Sequence, residues 1–104
     1  MTAALKPTQI VAALSGIPGW VLSGDGPHVC IEKSWHFPAF LQTMAFANAV
    51  AWIAEQRNHH PELLISYNRC TVRWQTHDVK GLSVLDFDAA QALEKQLFAA
   101  KEQA

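Results

Sequence analysis

The chain has 104 residues, of which 50% are hydrophobic and 16% charged, and its eight basic and nine acidic side chains give a net charge of −1. This composition excludes a disordered tail, and the lack of a lysine or arginine cluster argues against a nucleic-acid-binding protein. The length fits one domain spanning residues 1–104.

The sequence predicts neither a membrane span nor a secretory leader. The most apolar stretch, 45–54, is interrupted by Asn48 and is too short to cross a bilayer, and residues 1–6 lack a signal-peptide core. Cys30 and Cys70 form no Cys-x-x-Cys motif, so we expect reduced, half-buried thiols. We therefore expect a cytoplasmic protein.

A short helix and a hairpin are predicted at the start of the chain. Thr8 is a candidate cap for the helix, which ends in the glycine- and proline-containing segment 15–19. Two strands should follow at Trp20–Ser23 and Val29–Phe37, because the residues between them, 24–27, favour a turn.

A long helix is predicted from Pro38 to about Asn58. Its polar residues do not gather on one face, as they would on an amphipathic surface helix. This pattern favours a helix that packs on the sheet with one side and on another subunit with the other. An alanine-rich helix with some exposed apolar residues remains the alternative.

The second half of the chain predicts another hairpin and a last helix. Its strands are expected at Leu63–Tyr67 and Cys70–Thr76. The helix should start near Asp86 or Asp88, with Asp88 and Gln91 as a capping box. The order α-β-β-α-β-β-α predicts an α+β fold with helices on one face of a four-stranded antiparallel sheet.

The segment 55–61 carries the most informative chemistry. Glu55 and His59 are four residues apart and would share a helix face. His59 and His60 would lie at the helix C-terminus, which favours a positively charged imidazole. Since imidazole titrates near neutrality, such a site could supply an acid and a base. Spacing alone also allows a purely stabilising helix-end cation.

A third histidine, His77, ends the fourth predicted strand and opens a glycine-containing loop. It could approach His59 and His60 if the last hairpin folds back beside the long helix. Three histidines could bind zinc, but no His-x-x-x-His pair is present, and we expect no metal. Asp86 is otherwise explained as a helix cap.

In these motifs the sequence resembles the pterin-4a-carbinolamine dehydratase family. The family pattern is Glu-x-x-x-His-His-Pro, then Thr-His, then Gly-Leu-Ser/Thr followed by Asp. It is met by Glu55, His59-His60-Pro61, Thr76-His77, Gly81-Leu82-Ser83 and Asp86. Upstream aromatic residues, including Trp20, extend the resemblance over nearly the whole chain.

The resemblance implies an α+β enzyme that forms homodimers or homotetramers and needs no metal or organic cofactor. It implies dehydration of 4a-hydroxytetrahydrobiopterin to quinonoid dihydrobiopterin, which recycles the cofactor of aromatic amino-acid hydroxylases. Such a hydroxylase is therefore a candidate partner.

The resemblance also suggests residue roles. His59 and His77 would act as acid and base in an order that the sequence leaves open, and His60 would position the pterin. Glu55 would orient His59, with Asp86 as a second supporting residue. The residues expected to contact substrate are Trp20, Pro61 and Thr76.

Two alternatives stay open at the level of sequence. Leu63 and Ile65 depart from the family pattern, so a dehydratase for another pterin, on the molybdopterin route, is possible. A non-enzymatic dimerisation cofactor or assembly factor is the other alternative. A pure binding protein would not need the full set of Glu55, His59, His60 and His77, which favours the enzyme.

Overall fold

The structure is a computed structural model that describes residues 2–103, with side chains described through residue 98. Its elements are α1 (Pro7–Leu14), β1 (Val21–Ser23), β2 (Cys30–His36), α2 (Phe40–Arg57), β3 (Glu62–Ser66), β4 (Arg69–Trp74) and α3 (Val84–Gln103). Short 3₁₀ turns occupy Gly26–His28 and His77–Val79.

The four strands form one antiparallel sheet in the order β1-β2-β4-β3. The two hairpins are therefore joined through β2 and β4, with Ile31 opposite Trp74 and Trp35 opposite Cys70. This confirms the predicted α+β fold and the predicted element order. It also makes β4 a central strand, so that side chains at its end lie between both hairpins.

One face of the sheet is covered by α2 and α3. Alternate residues of β4, namely Cys70, Val72 and Trp74, are fully buried there, as expected for a strand with a period of two. Lys33 of β2 also lies on this face. Its Nζ is 2.6 Å from the carboxylate of Glu94 and 5.1 Å from the centre of the Trp35 ring. Both contacts stabilise the charge of Lys33 among its apolar neighbours.

The opposite face of the sheet carries several polar side chains. Arg73 of β4 lies between Glu32 of β2 and Glu62 of β3 in the strand register, and it forms ion pairs with both. The hydroxyls of Ser34 and Thr71 are 2.6 Å apart across the same pair of central strands. The end of this face borders the candidate site.

The opening helix starts before the predicted cap. Lys6, not Thr8, is the residue that precedes α1, and its backbone N–H donates to Gln9 Oε1 at 2.8 Å. The prediction of Thr8 as a cap is wrong because Pro7 occupies the first helical position, where its missing N–H costs no hydrogen bond.

The start of α3 also differs from the prediction. The helix begins at Val84, and Ser83 caps it by accepting the Leu85 N–H at 3.2 Å. The Asp86 carboxylate in turn accepts the Ser83 N–H at 3.0 Å. The predicted starts at Asp86 or Asp88 are therefore wrong, because this reciprocal cap satisfies the helix N-terminus earlier in the chain.

Candidate active site

The histidine pair is positioned by the way α2 ends. Asn58, just beyond the helix, adopts a left-handed conformation with φ of 50°, which asparagine tolerates better than most residues. His59 and His60 therefore leave the helical path before β3 begins. As a result, the Glu55–His59 pair expected from helical spacing does not form. Glu55 instead lies 3.0 Å from His60, and both of these side chains are exposed.

His59 is held by a buried carboxylate from another element. Its Nε2 lies 2.7 Å from Asp86 Oδ1, and the Asp86 side chain is fully buried. Asp86 Oδ2 accepts hydrogen bonds from Thr76 Oγ1 at 2.8 Å and from the Ser83 N–H. Since an ionised carboxylate only accepts hydrogen bonds, the proton of this contact belongs to Nε2 of His59. Asp86 therefore selects one ring tautomer.

The other ring nitrogen of His59 is left free by this arrangement. Among the described residues Nδ1 has no hydrogen-bond partner, and it is not one of the enclosed polar atoms that lack one. Nδ1 therefore faces the surface. One side of the ring stacks on Trp74, with ring centres 5.6 Å apart and planes 11° apart. The ring is thus fixed in both position and tautomer.

A cavity of about 560 Å³ opens beside the histidine pair. His60 and His77 both line it, together with Pro61 at the start of β3. The β1–β2 hairpin forms one wall through Cys30 and His28. The full lining is Ser23, Gly24, His28, Cys30, His60, Pro61, Glu62, Arg73, Gln75 and His77. Its volume is in the range of pockets that bind small organic molecules.

The cavity is lined by Arg73, three histidines and one acid, Glu62. Hydrogen bonding to Glu62 raises the pKa of the Arg73 guanidinium, and nearby Glu32 acts in the same direction. Burial raises the pKa of the Cys30 thiol, with a further contribution from Glu32. The cysteine is therefore a neutral wall residue at physiological pH.

A family model described as pterin 4 alpha carbinolamine dehydratase matches residues 3–96. The chain belongs to the pterin 4 alpha carbinolamine dehydratase family. This confirms the resemblance noted in the sequence. Since the family is named for a hydro-lyase, it also confirms the prediction of an enzyme of that class.

Curated relatives support the same assignment. A protein of Paracidovorax citrulli, provisionally named a pterin-4-alpha-carbinolamine dehydratase, is 48% identical over 94% of this chain and 84% of its own length. A protein of Dechloromonas aromatica with the same provisional name is 40% identical over 91% of this chain and 81% of its own length.

Solved structures extend the similarity to the fold. A transcriptional coactivator/pterin dehydratase from Brucella melitensis has a TM-score of 0.79 and 30% identity, covering 88% of this chain and 95% of its own. A pterin dehydratase-like protein described as a RuBisCO assembly factor in the alpha-carboxysome has a TM-score of 0.61. At 19% identity, and with 73% and 86% coverage, this second similarity shows the fold alone.

The predicted site residues of this pterin dehydratase family member do not all lie together. His60, Pro61 and His77 line the cavity. His59 does not line it, but is joined through Asp86 to Thr76, which directly precedes His77. Thr76 is buried and supports Asp86 instead of facing the cavity.

Trp20 lies elsewhere in the molecule. It is buried on the helix-covered face of the sheet, and its Nε1 donates to Glu94 Oε1 at 3.1 Å. Trp20 is not one of the cavity-lining residues, so the structure does not bring it together with the histidines.

Several cavity residues were not predicted as site residues, notably Glu62, Arg73 and Gln75. Alternation in the predicted strand Cys70–Thr76 and at its end places Arg73, Gln75 and His77 on one side, which is a signal that the sequence contains, although β4 itself ends at Trp74. Glu62 has no such signal, because its pairing with Arg73 depends on the register between β3 and β4.

Two negative findings, on metals and on membranes, hold for the part of the chain that the structure describes. Within it, no group of three histidine, cysteine or acidic side chains is arranged to hold a metal ion. Its helices also include none that is long and apolar enough to cross a bilayer.

Proposed function

We propose that this chain dehydrates 4a-hydroxytetrahydrobiopterin to quinonoid dihydrobiopterin and water. The observation that carries the proposal is the arrangement of the three histidines. His60 and His77 line one cavity, and His59, which precedes His60 in the chain, is fixed by buried Asp86, which also binds Thr76 next to His77. Membership of the pterin 4 alpha carbinolamine dehydratase family supports a pterin as the substrate. We further propose that an aromatic amino-acid hydroxylase, which produces this hydroxypterin, supplies the substrate.

The reaction needs one acid and one base. The C4a–O bond breaks as the leaving hydroxyl accepts a proton from the acid and departs as water. The proton on N5 passes to the base, and the N5 electron pair forms the C4a=N5 double bond. Since the nitrogen lone pair already assists loss of water, general acid–base help of about 10²–10⁴-fold is sufficient.

We assign the acid and base to His59 and His77, in an order that the pH dependence of each variant would decide. The His77 side chain is exposed and has no hydrogen-bond partner among the described residues, so both ring nitrogens are available to a ligand. His59 offers Nδ1, because Asp86 occupies Nε2. The two rings therefore differ in freedom, with His59 rigid and His77 adaptable.

His60 has a different role in this proposal. Its Nε2 is engaged by Glu55 at 3.0 Å, while its ring lines the cavity. We assign it to positioning the pterin or its leaving hydroxyl. Glu55 supports His60, which replaces the role that spacing suggested for it beside His59.

A hydroxylase-coupled assay tests the proposed reaction. Phenylalanine hydroxylase generates the 4a-hydroxypterin in solution, and its ultraviolet decay is followed with wild type, His59→Ala and His77→Ala. His36→Ala is the matched control, because His36 is exposed on β2 and does not line the cavity. We expect wild type and the control to accelerate decay, and each test variant to lose about 10²-fold.

Decay at the uncatalysed rate with folded wild type would exclude this reaction. If His59→Ala, His77→Ala and His36→Ala were all as active as wild type, the dehydratase activity would stand, but His59 and His77 would not be its acid and base.

We also propose that the outer surface of α2 is an interface between copies of this chain. Leu41 and Trp52 on this helix are 81% and 72% exposed, and large exposed apolar patches are typical of interfaces. Light scattering should give a dimer or tetramer mass for wild type and a smaller mass for Trp52→Glu. Val11→Glu is the control, since Val11 is similarly exposed on α1. A monomeric wild type would contradict this interface.

A further inference from the structure

The cavity contains an acid for which the proposed acid–base chemistry has no use. Glu62 is the carboxylate among its lining residues, next to Arg73 and three histidines, His28, His60 and His77. The Glu62 side chain is 68% exposed, so packing in the protein interior is not the reason for a carboxylate at this place in the cavity. A single carboxylate among basic groups in a cavity of this size suggests that it accepts hydrogen bonds from N–H groups of the ligand.

Glu62 is held in place from one side only. Arg73 Nη1 donates to Glu62 Oε1 at 3.1 Å, and Arg73 Nε donates to Glu32 Oε1 at 3.0 Å. Among the described residues, Glu62 Oε2 accepts no hydrogen bond. Two carboxylates share one guanidinium, so the group keeps a net negative charge. Glu62 is thus oriented but still able to accept hydrogen bonds.

We propose that Glu62, oriented by Arg73, recognises the 2-amino-3H edge of the pterin, an inference that rests on the proposed function. This edge presents the N3–H and an N–H of the 2-amino group side by side, as a guanidinium does. Carboxylates bind that donor pair through two parallel hydrogen bonds. The neighbouring 4-oxo group is an acceptor, and Arg73 has N–H donors beyond the two used for Glu32 and Glu62.

The position of Glu62 suits the reacting end of the ligand. In the pyrimidine ring of a pterin, C2 is directly opposite C4a, where the hydroxyl leaves. A carboxylate that holds the C2 side therefore directs C4a away from itself. Glu62 shares the cavity with His60 and His77, so the C4a end of a ligand held at C2 would point toward the other lining residues, which include these histidines.

The matched variants are Glu62→Gln and Glu32→Gln. Each removes one carboxylate from Arg73, but Glu62 lines the cavity and Glu32 does not. The probes are 7,8-dihydropterin and 7,8-dihydrolumazine, which carry an amino and an oxo group at C2, respectively. Neither can lose a 4a-hydroxyl, so binding is measured by titration calorimetry without any contribution from catalysis.

We expect wild type to bind the pterin more tightly than the lumazine by about 10- to 100-fold, as for hydrogen bonds to a charged group. Glu62→Gln should lose most of this preference, and Glu32→Gln should retain it. An unchanged preference in folded Glu62→Gln, with dehydratase activity in wild type, would overturn this inference alone. Binding of neither probe by wild type would overturn it together with the proposed function.

Discussion

Nε2 of His59 and Oδ1 of Asp86 lie 2.7 Å apart, although 27 residues separate them in the chain. Asp86 has no exposed surface, and its second oxygen is occupied by Thr76 and Ser83. The carboxylate therefore has two roles: it caps the start of α3 by accepting the Ser83 N–H, and it orients the His59 ring. A change at Asp86 should affect both folding and catalysis, and the two effects can be separated.

Asp86→Asn tests this double role. The amide offers one oxygen where the carboxylate offered two, so it cannot accept from His59, Thr76 and the Ser83 N–H in the same way. We expect the free energy of unfolding to fall by about 1–3 kcal/mol and kcat in the coupled assay to fall by about 10²-fold. KM should change little, since Asp86 does not line the cavity.

Asp88→Asn is the control for this prediction, because Asp88 is an exposed acid in the same helix. It should leave both kcat and the unfolding midpoint in urea close to wild type. A loss of stability in Asp86→Asn without any loss of kcat would show that the carboxylate is structural only.

The sequence predicted the elements of the fold well because their signals are local. Alternation of apolar residues identified the strands of the β2–β4 pair, and Pro61 identified the end of the long helix. The helix starts were less accurate, since Ser83 and Lys6 act through side chains or backbone groups three residues away. Such reciprocal caps depend on the geometry that they stabilise.

The site was predicted only in part, for a related reason. His59, His60 and His77 could be named from their motif, but the partner of His59 depends on how α2 ends. A single left-handed residue, Asn58, turns His59 away from Glu55 and toward α3. Likewise, the Glu62–Arg73 pair follows from strand register, which a sequence of short strands does not determine.

Trp74 is expected to tolerate loss of its indole N–H. Its Nε1 is buried and unpartnered among the described groups, whereas Trp20 Nε1 donates to Glu94. Trp74→Phe and Trp20→Phe remove the same atoms, and only the second breaks a hydrogen bond. We expect Trp74→Phe to cost about 1–2 kcal/mol less unfolding free energy than Trp20→Phe. Equal costs in urea unfolding would mean that Trp74 Nε1 is satisfied by water.

The two cysteines should make the protein less stable at alkaline pH. Burial raises the thiol pKa of both Cys30 and Cys70 above the ordinary value of 9.0. In the unfolded chain the thiols ionise first, so the folded state binds more protons above that pH. The contribution of the two thiols to the unfolding free energy is therefore fully present well below pH 9.0 and is lost as the pH rises through their raised pKa values.

Urea unfolding at pH 7.5 and pH 9.5 measures this effect in wild type and in a Cys30→Ser, Cys70→Ala double variant. Each protein is compared with itself across the two pH values, which removes any constant cost of the substitutions. The variant should lose less stability between the two values. An identical decline in both proteins would assign the alkaline loss to other groups.

Gly24 is expected to be the glycine on which the cavity wall depends. It has φ of +72°, and a Cβ there would clash with the backbone oxygen of His28, another wall residue. Gly26 has φ of +54° with no atom within 4 Å of a Cβ. Both alanine variants should lose about 1–2 kcal/mol from the left-handed backbone, and Gly24→Ala should lose more because the clash moves His28. We therefore expect weaker 7,8-dihydropterin binding in Gly24→Ala only. Equal losses of unfolding free energy and of binding in the two variants would show that the cavity wall does not depend on Gly24.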